Sequence, residues 1–495
     1  MTLTFTQPCD DPTDALHHAD AASGNIFATD KAIGILNDTL ARRSNYERIL
    51  LKAAAGAGKS HALKRMVEHA LDHDACKRVA VVAFANKQVF PLAEELGAKL
   101  GKRKVCLLVA RDRYEDVPES AKAKATVVTS AKDIPPRTGV VVATSHRVGG
   151  FAMNDLRRHL SPAHNGEQLF DVLFVDEAWQ LPLHRYRDVE RLAPIAVGVG
   201  DVGQLPPLDP GQNPWRGDLT YNPYRAWPTA YENDAKTWST ALPAVWRPSA
   251  AQLPLWRAFY RDWESLHCVA APGDREVVVR GLRGPSAQVW GQVASGRPAL
   301  VEVAGLPDPE APDIDQPLLE VVEGWLDQLL RRGFSLRSRR CDDKGKPKDW
   351  AEVSTSRPRG DRLIAVLATR NQAVDDATEM VERLCARHRL ADGVIVASTV
   401  DSWQGQTNGI TIAFHPLSGA SQLDEFNSAF GRLAVTCTRA THGLLMVSRA
   451  GLSDLLKEAP ARPGTPFGEP GTRQLPRQTH QRILDVFARA TLSVG

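Results

Sequence analysis

Residues 53 to 60 read Ala-Ala-Ala-Gly-Ala-Gly-Lys-Ser, and this stretch decides the fold. It follows the apolar run 49–51 and precedes a helical pattern over 61–71. A small-residue loop between a strand and a helix presents backbone N–H groups and the positive helix end to phosphates. Lys59 can reach the outer phosphates, and the Ser60 hydroxyl can bind Mg²⁺. The stretch predicts a nucleoside triphosphate site, and the alternative is an alanine-rich helix start. The residues expected to bind the nucleotide are Ala55, Gly56, Ala57, Gly58, Lys59 and Ser60.

A carboxylate pair, Asp176 and Glu177, follows a second apolar run at 172–175. Asp176 is placed to hold Mg²⁺, and Glu177 to orient and deprotonate the attacking water. The alternative is an acidic helix cap, which would be favoured if Lys59 were absent. A third apolar run ends in Asp201 and continues as Val-Gly-Gln-Leu-Pro-Pro. There Gln204 can sense the γ-phosphate, although alone it would indicate a turn.

These segments and four later ones resemble the ordered motifs of superfamily 1 helicases. Residues 176–180 and 200–207 resemble motifs II and III. Residues 242–248 resemble the segment that carries the first arginine finger, and residues 364–373 resemble the opening of the second lobe. Residues 398–406 resemble motif V, and residues 431–440 resemble motif VI, which carries the second arginine finger. The order is closest to the branch that contains the eukaryotic nonsense-mediated decay helicase and its bacterial relatives. The resemblance spans about residues 25 to 450.

The resemblance implies an α/β fold of two RecA-like P-loop NTPase lobes with parallel sheets and short inserted subdomains. ATP and Mg²⁺ would lie between the lobes, with Arg247 and Arg439 completing the catalytic set from the far side. Gln404 and Gly405 of motif V would also contact the nucleotide. Family members carry an upstream Gln that reads adenine, and residues 27–33 contain none.

Contacts with nucleic acid are expected where loops leave the sheets, from short hydroxyl and amide side chains that suit phosphate and sugar contacts. By resemblance to motif Ia, the later first-lobe segment and motif V, the candidates are Asn86, Lys87, Thr144, Ser145, Thr399 and Trp403. The alternative for Asn86 and Ser145 is helix capping. The alternative for Trp403 is a place in the core. The expected ligand is a single strand, with DNA favoured over RNA.

The composition of the chain bears on its ligand and its compartment. The formal net charge is +3, too close to neutral to indicate nucleic acid by itself, so binding must come from local basic patches such as 99–104 and 331–348. The second patch contains 342–348, which is typical of a loop. The seven cysteines show no paired close spacing, which indicates free thiols in a reducing compartment. No apolar stretch is long enough to span a membrane, so a cytoplasmic protein is expected.

The chain divides, on these signals, into five parts. The expected parts are a loose N-terminus (1–24), a first lobe (25–212) with a short insert at about 99–137, a connector (213–235), a second lobe (236–450) with an insert at about 269–359, and a tail (451–495) made of a linker and an amphipathic helix at 478–492.

The resemblance therefore implies an NTP-dependent superfamily 1 helicase or single-strand translocase, with ATP as the expected nucleotide and 5′ to 3′ as the direction expected from the branch. One alternative is an RNA helicase of the same branch. A different class is a P-loop nucleotide switch that gates a partner protein, with the C-terminal tail as the contact.

Overall fold

A computed structural model describes residues 3–9, 14–163, 166–203, 225–261, 263, 265–311, 314–356, 362–424, 427, 429–459 and 476–494. Within them the chain is α/β, as predicted, and forms an eight-stranded and a six-stranded parallel sheet, a three-stranded antiparallel sheet and one pair of short strands.

The eight-stranded sheet collects the first strands of the chain. They are β1 (Arg48–Ala53), β2 (Val79–Ala83), β3 (Val105–Leu108), β4 (Thr126–Val128), β5 (Val140–Thr144), β6 (Val172–Asp176), β7 (Ile195–Asp201) and β8 (Thr237–Ala241). Their order across the sheet is β4-β3-β5-β2-β6-β7-β1-β8. One strand, β7, thus separates the strand before the phosphate loop from the strand that ends at Asp176.

Helices cover this sheet on both faces. They are α1 (His18–Leu40), α2 (Lys59–Asp72), α3 (Asn86–Leu100), α4 (Glu119–Lys124), α5 (Ser145–Val148), α6 (Ala152–His159), α7 (Leu183–Arg187) and α8 (Trp227–Tyr231). Alternate residues of one strand enter different cores: Ile49 and Leu51 pack on one face, and Leu50 packs on the other. Burial on both faces is why these strands are continuous apolar runs.

The rest of the chain forms the other sheets. Its strands are β9 (Ala244–Val245), β10 (His267–Cys268), β11 (Arg275–Val279), β12 (Ala299–Ala304), β13 (Phe334–Cys341), β14 (Pro347–Ser354), β15 (Ile364–Ala368), β16 (Ile395–Thr399), β17 (Asn408–Phe414), β18 (Ala440–Arg449) and β19 (Ala488–Ser493). Its helices are α9 (Leu253–Phe259), α10 (Gly284–Ala294), α11 (Gln316–Arg332), α12 (Asn371–His388), α13 (Phe430–Cys437), α14 (Leu452–Glu458) and α15 (Pro476–Leu484). One-turn 3₁₀ helices lie at Arg111–Arg113, Ala131–Asp133, Ala178–Gln180, Glu190–Leu192 and Ala250–Gln252.

The six-stranded sheet has the order β16-β15-β17-β18-β12-β19, and β11, β13 and β14 make the antiparallel sheet. The predicted division of the chain stays a prediction, but several elements lie elsewhere than expected. β8 follows the expected boundary at 236 and pairs with β1 in the first sheet. β12 lies inside the expected insert 269–359 and is an inner strand of the second sheet. The strand Ala299–Ala304 contains Glu302 and lies within charged and Pro/Gly-rich sequence, so it does not stand out as an apolar run.

Two smaller expectations also need correction, and a third is largely confirmed. The stretch 99–137 contributes β3 and β4 to the edge of the first sheet rather than a separate subdomain. The basic stretch 331–348 begins at the end of α11 and runs along a hairpin, and the expected loop is found at 342–346, the turn between β13 and β14. The N-terminus is not wholly loose, because Leu3 is buried in the core of the second sheet and Thr6 bridges to Arg489.

The C-terminus differs from the expected helix over 478–492. The helix α15 ends at Leu484, and β19 follows and pairs in parallel with β12. Ala488, Ala490 and Leu492 point into the core and the residues between them are more exposed, which is the two-residue period of a strand. The expected linker at 460–466 lies outside the described residues.

No helix in the described part of the chain combines the length and the apolar composition needed to cross a membrane. The seven cysteines, which are all described, are unpaired thiols.

Candidate functional site

The loop between β1 and α2 has the backbone that a phosphate cradle requires. Gly56 (φ 75°) and Gly58 (φ 96°) adopt left-handed conformations that favour glycine. A Cβ at position 56 would lie 2.3 Å from the Cβ of Arg247, so only glycine allows this close approach. The loop alanines 53, 54, 55 and 57 are buried, so their small size is required by packing.

Buried side chains from distant parts of the chain hold this loop. The backbone N–H of Ala55 donates to the Tyr260 hydroxyl (2.9 Å), and the indole N–H of Trp256 donates to the Ala55 carbonyl (2.8 Å). On the other side, the Asn25 amide donates to the carbonyls of Ala57 (2.9 Å) and Ala244 (2.8 Å). The loop is therefore held in shape by its surroundings.

Three carboxylates gather near Lys59 at the carboxyl ends of adjacent strands. Asp176 ends β6, Glu177 follows it, and Asp201 ends β7. The Lys59 Nζ lies 2.8 and 3.0 Å from the two Glu177 oxygens and 4.0 Å from Asp201 Oδ2. Glu177 has a left-handed backbone (φ 50°), which is costly for a non-glycine residue and is typical of functional sites. This bend directs Glu177 away from the strand and towards Lys59.

Burial and crowding shift the pKa values of these acids upward. Desolvation and the adjoining Glu177 carboxylate raise the pKa of Asp176 to about 7, against the opposite effect of Lys59. Desolvation also raises the pKa of Asp201, although the Tyr260 hydroxyl donates to that carboxylate at 2.9 and 3.0 Å. Buried, closely spaced carboxylates of this kind favour a bound cation.

Two arginines meet on the opposite side of the same cavity. Arg439 is buried directly before β18, and its Nε donates to the Val435 carbonyl (3.2 Å). The Arg247 Nη1 donates to the Thr438 carbonyl (3.0 Å), next to Arg439. Desolvation and the nearby Arg439 guanidinium lower the pKa of Arg247 to about 9, so it remains charged at neutral pH. Burial likewise lowers the pKa of Arg439. Two desolvated cations side by side make a site for an anion.

These groups enclose one cavity of about 510 Å³. Its lining includes the predicted residues Gly56, Gly58, Lys59, Ser60, Asp176, Glu177, Arg247, Gln404, Gly405 and Arg439. Of the other predicted loop residues, Ala55 and Ala57 are buried beneath the cradle, and Gln204 lies outside the described residues. Segments of the chain nearly 400 residues apart, from both large sheets, thus face a common space.

The cavity has room for a magnesium–nucleotide pair on its acidic side. The Oδ1 of Asp176 is buried without a hydrogen-bond partner among the described residues, and Ser60 offers a hydroxyl across the cavity. The described residues contain no group of three or more His, Cys, Asp or Glu that could hold a metal by itself. Mg²⁺ is commonly bound by one or two side-chain oxygens together with substrate phosphates. Ser60 and Asp176 fit that pattern.

Sequence reasoning did not include several residues of this site. Asp201 had been noticed only as the acid that ends a run, although it lies within 4.0 Å of Lys59. The aromatic side chain of Trp246 lines the cavity beside Arg247. Tyr260 and Asn25 act through hydrogen bonds to residues far away in the sequence, and such contacts leave no local pattern. A search for acids at the ends of all parallel strands would have found Asp201.

The predicted strand contacts of the first sheet lie at the carboxyl ends of β2 and β5, which are neighbours. Asn86 begins α3 and is half-buried, and Thr144 is half-buried at the end of β5. Ser145 is buried, and its hydroxyl has no partner among the described residues. Lys87 lines the nucleotide cavity instead, and its Nζ lies 3.4 Å from the Asp401 carbonyl.

The second-sheet candidates differ from each other. Thr399 ends β16, and its hydroxyl accepts a hydrogen bond from the Ser402 backbone (3.0 Å). Trp403 is buried in a small core, its indole donates to Asn408 (3.0 Å), and the Arg362 guanidinium lies 4.8 Å from its ring. Its proposed stacking on a base therefore needs correction: the ring is covered, which agrees with the alternative of a core residue.

Comparison with known proteins finds one matching domain family and several solved structures of low sequence identity. Residues 37–210 match the model of the AAA_19 family, described as an AAA domain, which is 174 of the 495 residues. This part of the chain is thus similar to an AAA domain, and the phosphate cradle described above lies within the matched residues. A comparison with curated protein sequences finds no match.

Among solved structures, the PRRSV helicase is 14% identical over 86% of this chain and 58% of its own, with a TM-score of 0.38. The arterivirus nonstructural protein 10 helicase in complex with DNA is 14% identical over 83% and 63%, with a TM-score of 0.37. The DUF1998 helicase MrfA bound to DNA is 9% identical over 90% and 54%, with a TM-score of 0.41. The chain spans less than two thirds of the length of each. The roles of individual residues rest on the geometry described above.

Proposed function

We propose that this protein is an NTP-dependent superfamily 1 helicase or single-strand translocase, with ATP and Mg²⁺ as its nucleotide and metal. The two RecA-like lobes would correspond to the two large sheets. The observation that carries the proposal is the single cavity that joins Lys59, Asp176 and Glu177 of the first sheet to Arg247 and to Arg439 before β18 of the second. A cavity with cations on both sides and acids at one end suits a triphosphate and its metal.

Each group has a distinct task in hydrolysis. Lys59 and the backbone N–H groups of the cradle bind the outer phosphates; Ser60 and Asp176 would hold Mg²⁺, which would neutralise phosphate charge. Glu177 orients a water and takes its proton. Arg247 and Arg439 stabilise the charge that develops on the transferred phosphoryl group. Gln204 is proposed as a sensor of the γ-phosphate.

Closure of the cleft would be coupled to the strand. Asn86 and Thr144 of the first lobe and Thr399 of the second are proposed to grip phosphates and sugars, which positions a strand without reading its sequence. Since the nucleotide binds residues from both sheets, hydrolysis changes their separation and moves one grip relative to the other. We propose DNA as the strand, RNA as the alternative within the same branch, and 5′ to 3′ movement on the family resemblance.

The nucleotide-switch alternative was motivated by a C-terminal helix and its linker, and the last part of that expected helix is the strand β19. The C-terminal segment was expected to be a tail available to a partner, but β19 is hydrogen-bonded to β12 in the second sheet. We therefore keep the translocase as the proposal.

The test is ATP turnover measured with single-stranded DNA, with single-stranded RNA and with neither. A translocase should require a strand, and the more stimulating strand identifies the substrate. Lys59→Ala should abolish turnover, whereas Lys64→Ala, on the same helix but in a surface pair with Glu95, should not. A turnover rate that is the same with either strand as without one would refute the translocase.

Direction is tested by displacement of streptavidin from strands biotinylated at either end. Movement 5′ to 3′ clears the block at the 3′ end. Clearance of only the 5′-end block would show that the proposed direction is wrong.

A further inference from the structure

The carboxyl-terminal edge of the first sheet, where Asn86 and Thr144 are predicted to contact nucleic acid, extends further than these two residues. The strands β2, β5 and β3 are consecutive neighbours, and because they are parallel the loops that follow them leave the same edge. The loops after β2 and β5 touch through the rings of Phe84 and His146, 5.5 Å apart. The loop after β5 is tied to that after β3, since the Arg147 Nε donates to the Val109 carbonyl (3.2 Å). One continuous surface therefore runs from Asn86 past Thr144.

Phe151 projects from this surface into solvent. Its side chain is 94% exposed, more than any other large hydrophobic side chain among the described residues. Isolated exposed apolar residues are common, so exposure alone assigns nothing. What distinguishes Phe151 is its place, six residues after Ser145 on the proposed strand-binding segment, and the way the backbone presents it.

The backbone before Phe151 is fixed by hydrogen bonds and close packing. The Gly149 N–H donates to the Ser145 carbonyl (2.9 Å), and the Gly150 N–H donates to the Asp188 carbonyl (3.1 Å). A Cβ at Gly149 would lie 2.8 Å from the Ser145 carbonyl oxygen, and Gly150 has φ 54°. On the other side, Phe151 directly precedes α6. The ring is thus held outward by an anchored turn.

Exposed basic residues occur on the elements that follow the strands of this edge. Arg157 lies in the last turn of α6 and Arg111 follows β3; both are exposed, and neither has an ion-pair partner among the described residues. Tyr114, 38% exposed, also follows β3, and the Lys122 Nζ lies 5.2 Å from its ring centroid. Exposed aromatic rings and cations on one edge suit the bases and phosphates of a single strand, where stacking tolerates any base.

We propose that Phe151 is a stacking platform for a base of a single nucleic-acid strand, at the outer end of the first lobe's strand-binding edge. This rests on the proposed function and adds a contact that the motifs do not include. The strand crosses the carboxyl ends of β2 and β5, its phosphates lie near Arg111 and Arg157, and one base packs on the ring of Phe151. The exposed arginines of this edge and its continuity with Asn86 and Thr144 favour a strand over a protein partner at this surface.

The test compares the affinities of Phe151→Ala, Phe151→Trp and the unaltered protein for oligothymidylate and for an abasic strand of the same length. Loss of one stacked base should weaken oligothymidylate binding by roughly 5- to 100-fold, and Phe151→Trp should restore it. Phe27→Ala is the matched control, because Phe27 is 70% exposed on α1, away from this edge. It should leave affinity unchanged.

The abasic strand separates stacking from phosphate contact. The unaltered protein should prefer oligothymidylate over the abasic strand, and Phe151→Ala should remove that preference with little further loss on the abasic strand. Thermal unfolding of Phe151→Ala should match the unaltered protein, since the ring is in solvent. If Phe151→Ala and the unaltered protein bind equally well, or if Phe151→Ala loses the same affinity for both strands, Phe151 is not a stacking platform. Neither result contradicts the proposed function. If the unaltered protein binds no single strand of DNA or RNA, the proposed function fails together with the platform.

Discussion

Glu177→Gln should have two opposite effects, slower hydrolysis and tighter nucleotide binding. In this structure both carboxylate oxygens of Glu177 bind the Lys59 ammonium, at 2.8 and 3.0 Å, and the side chains are only 14% and 12% exposed. The lysine proposed for the outer phosphates is thus held by the residue proposed as the base. A phosphate that takes Lys59 must replace Glu177 first.

The size of the binding effect follows from this contact. A hydrogen bond to a charged group contributes about 1.5–3 kcal/mol when it is sheltered from solvent. The amide introduced by Glu177→Gln keeps one acceptor but loses the charge, so we take the lower end. Since about 1.4 kcal/mol is a factor of ten, ATP should bind roughly 10-fold more tightly. Removal of the general base should slow turnover by on the order of 100- to 10,000-fold.

The two effects are measured separately. Calorimetric titration with a non-hydrolysable ATP analogue gives the affinity, and phosphate release gives the turnover rate. Glu95→Gln is the control, because Glu95 on α3 pairs with Lys64 on the surface of α2 and does not line the cavity. Turnover at the rate of the unaltered protein would show that Glu177 is not the base. Unchanged affinity would show that the Lys59 pair does not compete with phosphate.

Three further results are expected. Arg247→Ala and Arg439→Ala should each lower turnover by on the order of a thousandfold with nucleotide binding nearly unchanged, as measured by titration and phosphate release; retained turnover in both would refute the two-lobe catalytic model. Tyr260→Phe should lower the free energy of unfolding in urea by about 2–4 kcal/mol, because it leaves the Ala55 N–H and a buried Asp201 oxygen without a partner; the exposed Tyr114→Phe serves as the control, and equal stability would contradict the hydrogen bonds described. Affinity for a single strand should fall linearly on a log–log plot against salt concentration, as phosphate contacts require; affinity independent of salt would contradict a grip on phosphates.

The two-sheet fold could be predicted from the sequence because its inner strands are buried on both faces. The buried residues of Val79–Ala83, Val140–Thr144 and Val172–Asp176 are all apolar, so these strands stand out as runs between polar loops; only the last residues of the second and third strands, Thr144 and Asp176, are polar. The sequence did not predict β12 as an inner strand, although β12 lies between two strands of the second sheet. Its Glu302 accepts hydrogen bonds from the backbone of Gly451 and Leu452 and pairs with Arg489, so a charged residue interrupts the run.

The candidate site could be predicted where its chemistry is local. The cradle and the pair Asp176 and Glu177 are contiguous, and a backbone loop or the end of a strand fixes their positions. Contacts that depend on folding could not be predicted in the same way. The Tyr260 hydroxyl reaches Ala55 across 205 residues of sequence, and nothing near either residue indicates the other. Trp403 shows the converse, because an aromatic in a functional motif can be buried for packing.

The order of strands explains how one movement of the lobes could serve both the nucleotide and the strand. In the first sheet the nucleotide groups follow β1, β6 and β7, and the proposed strand contacts follow β2, β5 and β3. The two sites therefore share one edge and meet between β6 and β2. Lys87 stands at that junction: it lines the nucleotide cavity, and its Nζ contacts the Asp401 carbonyl two residues after Thr399. On the proposed function, opening of the cleft would break this contact and shift Thr399 relative to the first lobe in the same step. A change at the phosphates then reaches the strand without a long relay, since the two sites lie side by side on the edge that the second lobe closes.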